Sequence, residues 1–306
     1  MGLARHPKAD CPLLRLPHEV IALILRCLCI RDLAAVEATC KALGAAAHCP
    51  SIWTEIVLPR SIGRAPLPPK LRKRLAHCQS LRLTPPRLRR CSAKFSARPE
   101  ATDPQCCGGV LDEHVEQILQ CCPPSMTELD LSGHTHLTAA SLWALINHSP
   151  QTLQKLWRRG CSNITTGWDA EVTKYEAFPD LPRLRLLELS HTNSNDRIVD
   201  SFLGKSPRLD ELLLNFLPDI SDLALTRLQC SQRVGSRFRL GVIGSSRISD
   251  QVLRSLMKWM PPSHLLCDIS YICNFGAARN CVPQPCGDAT SALNALIAAY
   301  HLEESM

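Results

Sequence analysis

The chain has 306 residues, enough on length for roughly two domains or one elongated array. Hydrophobic residues make up 45% and charged residues 21%, which excludes global disorder, and 47 leucines against 5% aromatics point to many similar small units rather than one aromatic-centred core. Seventeen cysteines, an odd number, exclude a fully paired disulfide framework within one chain, and a formal net charge of +7 leaves anionic partners open without identifying one.

Residues 1–19 carry Arg5, His6, Lys8, Asp10 and Pro17 and no apolar core of secretory type. The most apolar run, Val20 to Ile30, is broken by Arg26 and falls far short of the ~20 residues that cross a bilayer. No membrane association is expected, and a reducing compartment, cytoplasm and/or nucleus, is the expected location, with the cysteines as thiols.

From Leu16 the pattern is helical. Pro17 suits a first helical turn, and Val20, Ile21, Ile24, Leu25 and Leu28 recur at helical spacing as one broad apolar face. Asp32 is placed to cap a second helix carrying Leu33, Val36, Cys40 and Leu43. An alanine-rich element runs from Gly44 to Cys49; Pro50 stops it, and Ile52 and Trp53 offer a bulky closing contact. Leu16-Pro17, Glu19-Val20, Ile24, Leu28, Asp32-Leu33, Val36, Cys40-Lys41 and Pro50 through Trp53 together resemble the F-box, over about 42 residues in that family's order and spacing. The resemblance implies docking on a Skp-type adaptor, and through it a cullin scaffold, by Leu16, Pro17, Val20, Ile24, Leu28, Leu33 and Trp53. The plainer alternative is a small helical cap on the downstream array.

Residues 59–98 hold twelve Arg or Lys and no Asp or Glu, so the rest of the chain is net negative. Prolines 59, 66, 68, 69, 85 and 86 make much of this stretch linker or loop, and residues 84–109 break the downstream rhythm as an insertion. A solvated tether, an acidic protein partner and nucleic acid all fit such a segment. Phe95 is its one aromatic, so the stacking platform of single-strand binders is missing, which argues against nucleic acid.

Downstream the chain repeats itself. Ile220-Ser221-Asp222 with Leu225 and Leu228 matches Ile248-Ser249-Asp250 with Leu253 and Leu256, and similar units start at 110, 137, 164 and 194. The steps are 26–30 residues. Ahead of the helices stand pairs of apolar residues at spacing two, Leu81/Leu83, Leu129/Leu131, Leu187/Leu189, Leu212/Leu214 and Leu240/Val242, each predicting a short strand with both members buried. The Asp or Thr at each helix start is expected to accept the unpaired N–H groups of its first turn. Prolines 123, 150, 207 and 261 end the helices. In one unit Leu156 is followed by Arg158 where the second leucine belongs, so that unit reads as degenerate.

Strand, turn and helix at this period resembles the leucine-rich repeat, and Cys161 and Cys122 resemble its cysteine-containing subtype, with His134, Thr192 and Ser245 standing where other units would carry Cys161. The expected fold is α/β: a three-helix F-box (12–58), a basic linker (59–74), a leucine-rich-repeat solenoid with a parallel concave sheet and convex helices (75–270), then a Cys/Pro/Gly loop and C-terminal capping helix (271–306, the helix at about 288–302). Proteins of this kind select a substrate for a Skp–cullin–F-box ubiquitin ligase and do no bond-making chemistry themselves; an interaction scaffold outside any ligase is the alternative.

Alternation places Arg82, Glu128, Asp130, Lys155, Trp157, Arg159, Glu188, Glu211, Leu213, Asn215 and Arg239 on the concave face, where an unidentified protein substrate would bind. Trp157, between two basic residues, is the candidate anchor. Phosphate-loop, nucleophile-elbow and zincin motifs are missing, and no cysteine set has paired zinc spacing, so no catalytic residue, metal or cofactor is expected. His134 and His136 are expected in an exposed turn, and Cys267, Cys273, Cys281 and Cys286 in an ordinary loop.

Overall fold

The computed structural model describes residues 12–59, 66–84, 110–175, 177–230, 238–258, 260–261 and 263–267. The terminal helix, the Cys273, Cys281 and Cys286 loop and residues 85–109 of the insertion fall outside them. Eight strands form one parallel sheet whose spatial order is the chain order: β1 (Glu55–Leu58), β2 (Ser80–Leu83), β3 (Glu128–Asp130), β4 (Lys155–Trp157), β5 (Leu186–Glu188), β6 (Glu211–Leu213), β7 (Arg239–Val242) and β8 (Leu265–Cys267). With helices packed along the other side, this is an α/β solenoid of the leucine-rich-repeat kind, preceded by three short helices: α1 (His18–Arg26), α2 (Ile30–Thr39) and α3 (Lys41–Ala47).

The leucine pairs explain the register. Leu81, Leu129, Leu156, Leu187, Leu212 and Leu240 stand opposite one another across β2 to β7, all buried. Each such side chain withdrawn from water contributes about 1.5–3 kcal/mol, so a slip of one residue would expose the whole row. The unit read as degenerate keeps this register. Arg158 takes the second leucine's place and is fully buried, its guanidinium donating to Ser141 Oγ at 3.0 Å and the Thr138 carbonyl at 3.4 Å.

The helix-start aspartates work differently from the capping expected of them. Thr138, Asn195 and Ser249 cap their own helices, accepting from the N–H groups of Ala140, Ile198 and Val252. The aspartates reach forward into the next repeat. Asp112 accepts from Thr138 N at 2.9 Å and Thr138 Oγ1 at 2.7 Å, Asp196 from Ser221 N at 2.8 Å and Ser221 Oγ at 2.5 Å, and Asp222 from Ser249 N at 2.7 Å. Likewise α2 starts at Ile30 with Cys29 as its cap residue; Asp32 sits inside the first turn and accepts from Cys29 Sγ.

A second set of polar side chains holds strand to turn. Cys161 is buried and donates to the Leu131 carbonyl at 3.2 Å; Ser245 does the same to Leu214 and Thr192 to Leu189. His134 occupies the equivalent place, 1% exposed, with Nε2 3.4 Å from the Leu83 carbonyl. It is therefore interior rather than exposed, its pKa lowered chiefly by burial, and His136 is half-buried. A buried polar group is tolerated here because a strand carbonyl waits for it.

Two strands are unexpected: β8, whose last residue Cys267 is buried in the sheet rather than in the loop expected for it, because pairing with Val242 draws it in, and β1. β1 comes directly after the N-terminal helices, and its Ile56 and Leu58 are buried against the solenoid while Gln79 N and Ser80 N donate to the Thr54 carbonyl. The stretch read as basic linker contains a helix, α4 (Pro69–Leu75), packed near Trp53.

Candidate functional site: two interaction surfaces

The first surface lies on α1 and the turn ahead of it. Its apolar residues divide into two sets: Ile21 and Leu25 point inward, whereas Leu16, Val20, Leu23 and Ile24 form an exposed group, with Leu23 at 62% exposure. Spacing of three and four residues puts Val20, Leu23 and Ile24 on neighbouring turns, so the exposed side chains are contiguous. Pro17 stands at the N-cap position of this helix without a side-chain cap and is exposed, and Leu28 is half-buried. Leu33 and Trp53, expected at the same surface, are instead core residues, 4% and 1% exposed; the indole N–H donates to the Ala47 carbonyl at 2.8 Å. Burial of both side chains holds α2 and α3 together and leaves neither for an outside partner. Leu23 was missed because it falls outside the resemblance's matched positions, although helical spacing from Val20 and Leu16 would have found it.

This surface is fixed to the solenoid through Glu37. Its carboxylate on α2 accepts from Arg74 on α4 at 2.6 Å, with Lys70 Nζ at 3.4 Å and His48 Nε2 at 3.1 Å. The Arg74 hydrogen bond holds the Glu37 carboxyl below the usual carboxylate range. The Arg74 guanidinium also stacks 4.3 Å from the Trp53 ring centroid. Two charges of the basic stretch are thus engaged by the fold itself.

The outline of an F-box is visible here: three short helices, a tryptophan closing them, and an exposed apolar first helix. The sequence model of the F-box-like family matches residues 13–59. The N-terminal segment is an F-box-like domain. The chain is also similar to the human (Homo sapiens) F-box/LRR-repeat protein 8, 44% identical over 70 residues, which are 22% of this chain and 18% of that relative. The match thus spans under a fifth of the relative's length.

The second surface is the outward face of the sheet beyond the F-box-like domain. Register places Arg82, Asp130, Trp157, Glu188, Leu213 and Gly241 in one row across β2 to β7, and Ser80, Glu128, Lys155, Leu186, Glu211 and Arg239 in the row beside it. Arg159 and Asn215 come two residues later on the same face. All eleven residues expected there from alternation are on it. Leu186 was missed, though it stands two residues before Glu188.

Charges on this face pair across strands: Arg82 Nε with Asp130 Oδ2 at 2.7 Å, and Lys155 Nζ with Glu128 Oε1 at 2.8 Å. Lys155 Nζ also lies 5.9 Å from the Trp157 centroid. Asn215 bridges strands, its Oδ1 accepting from Ile243 N at 2.9 Å. A cavity of about 450 Å³ opens over β2 to β5, lined by Arg82, Glu128, Asp130, Trp157, Arg159 and Glu188 among others. Burial raises the pKa of Glu188, Asp130 and Glu211 raise it further, and Arg159 and Ser190 act the other way.

Beside this cavity two residues depart from the repeat pattern. The turns after β3 to β7 have a positive φ, at Gly133, Gly160 and Gly244 after β3, β4 and β7 and at His191 (φ 57°) and Phe216 (φ 56°) after β5 and β6. Their rings stack at 4.5 Å, and a side chain at Gly244 would collide with the Phe216 ring. Aligning the five turns in sequence would have found both. Among the described residues no group of His, Cys, Asp and Glu is arranged to hold a metal ion.

Proposed function

We propose that the chain is the substrate-recognition subunit of a Skp–cullin–F-box-type ubiquitin ligase. Its F-box-like domain docks a Skp-type adaptor, and through it a cullin scaffold, while the strand face of the solenoid binds the protein to be modified. The observation that carries this reading is the exposed apolar group Leu16, Val20, Leu23 and Ile24 on a domain matched by the F-box-like family. Four apolar side chains left in water along one short helix and its leading turn favour a partner. Leu33 and Trp53 support that surface from behind.

The chain does no bond-making chemistry in this reading. Its contribution is positional, raising the effective concentration of an acceptor lysine near the charged conjugating enzyme and directing the substrate to degradation. In this reading the chain sits in a reducing location, cytoplasm and/or nucleus, where cysteines stay as thiols; nine of the described cysteines are free. Cys122 is held protonated by its hydrogen bond with Cys78 and by burial, the reverse of an activated nucleophile.

The test is co-purification with a Skp-type adaptor and cullin. Wild type should bring both down, and Leu23→Asp or Leu16→Ala with Pro17→Ala should lose both without unfolding, since these side chains are exposed. Failure of the wild type to bind any such adaptor would overturn the reading and leave a scaffold outside a ligase.

A further inference from the structure

Asp130, Trp157 and Glu188 are direct neighbours across β3, β4 and β5, so an indole lies between two carboxylates in one row. Strand spacing sets the backbones that carry the two carboxylates about 4.8 Å to either side of that of Trp157. We infer that this row is a pocket for an arginine or lysine side chain presented by an extended segment of the partner protein. The inference rests on the reading of the strand face as the recognition surface and names the chemistry recognised there.

Three features favour a cation. The cavity itself is lined by three carboxylates, Glu128, Asp130 and Glu188, against two guanidiniums, Arg82 and Arg159. The cation nearest Asp130 is Arg82, which lines the cavity with a side chain 65% exposed, so this ion pair is screened by solvent. A carboxylate has about four acceptor sites, and Asp130 uses two, one on Arg82 and one on Ser132 N at 2.9 Å, so capacity remains. A guanidinium laid on the indole would meet both carboxylates in its own plane and gain from the ring face as well.

The His191–Phe216 pair extends the site. A bulky residue at positive φ costs about 1–3 kcal/mol, and three sibling turns avoid that cost with glycine. The strain is kept for two stacked rings at the rim of the adjacent hollow, which Arg159, Glu188 and Asn215 also line. The rings come after β5 and β6, one and two strands beyond Trp157 and three residues past its row, a span on the order of 10–14 Å that three or four extended residues cover. The segment recognised therefore carries a basic residue and, three or four positions away, an apolar one.

The experiment uses the full chain and four fluorescent decapeptides of one Gly/Ser scaffold with a phenylalanine three residues after the variable position. That position holds Arg, Lys, Gln or phosphoserine, and binding is measured by anisotropy. The Arg peptide should bind best and the Gln peptide at least about tenfold more weakly. The isosteric Glu188→Gln and Trp157→Leu should each weaken the Arg peptide by about tenfold, with unchanged thermal melting. Equal binding of Arg and Gln peptides, indifference to Glu188→Gln, or a preference for phosphoserine lost in Arg159→Gln would each overturn the assignment. Adaptor co-purification is read separately: a chain that takes the Arg peptide but no adaptor keeps this pocket and loses the ligase reading, and the converse discards the pocket alone.

Discussion

Glu37 and Arg74 make a 2.6 Å ion pair that joins the second helix of the F-box-like domain to the first helix of the solenoid, with the Trp53 indole under the guanidinium. Both side chains are largely withdrawn from water, so the pair is worth most while intact and leaves a costly orphan when cut.

Glu37→Ala should therefore destabilise the chain by about 2–3 kcal/mol in denaturant unfolding, and Glu37→Gln by less, because an amide oxygen can still accept from Arg74. The folded pKa of Glu37 is depressed, so its contribution is present above the unfolded carboxylate range, near pH 4.3, and is lost as pH falls through the folded value. Stability differences between wild type and Glu37→Gln should shrink on acidification below about pH 4.

Arg158 supplies a second test. A leucine there would restore the repeat pattern and remove a buried charge, so Arg158→Leu is expected to be neutral or stabilising. Ser141→Ala should instead cost about 1–3 kcal/mol, because it strips the nearer of two acceptors from the buried guanidinium. Equal losses in both variants would contradict this account.

Asp196 links its repeat to the next through Ser221. Asp196→Ala should lose about 1–3 kcal/mol and, more tellingly, raise amide exchange at the start of the helix Asp222–Cys230 before it does so elsewhere.

His134 gives a pH signature. Burial depresses its folded pKa below the unfolded value near 6.5, so the folded state binds fewer protons and stability falls as pH drops below about 6.5 toward the folded value. His134→Cys, which copies the Cys161 arrangement, should flatten the stability profile between about pH 7 and 5 relative to wild type.

The solenoid is legible because its strands are written as apolar pairs at spacing two and its turns recur at a nearly fixed period. The features that escape a sequence reading lie where the interacting group is far along the chain. The Asp112, Asp196 and Asp222 links join residues 25 to 27 apart, so a local rule assigns those aspartates to their own helices. Arg158 and His134 escape because polarity suggests exposure, whereas each meets an acceptor that only the fold brings near. Ile56 and Leu58 show the same apolar pairing as β2, β3, β5, β6 and β7, but they fall at the end of a segment already accounted for by its helices. At the first surface, family resemblance names Leu33 and Trp53 beside Leu16 and Val20 without separating side chains that face out from those that hold the helices together.

Strand order and chain order coincide from β1 to β8, and this bears on how the protein is made. A strand leaving the ribosome meets an edge that has already been synthesised, so no pairing waits for sequence still to come. The first edge is Glu55–Leu58, carried by helices translated before it. The F-box-like end therefore carries a strand edge that is complete before any later repeat has to pair.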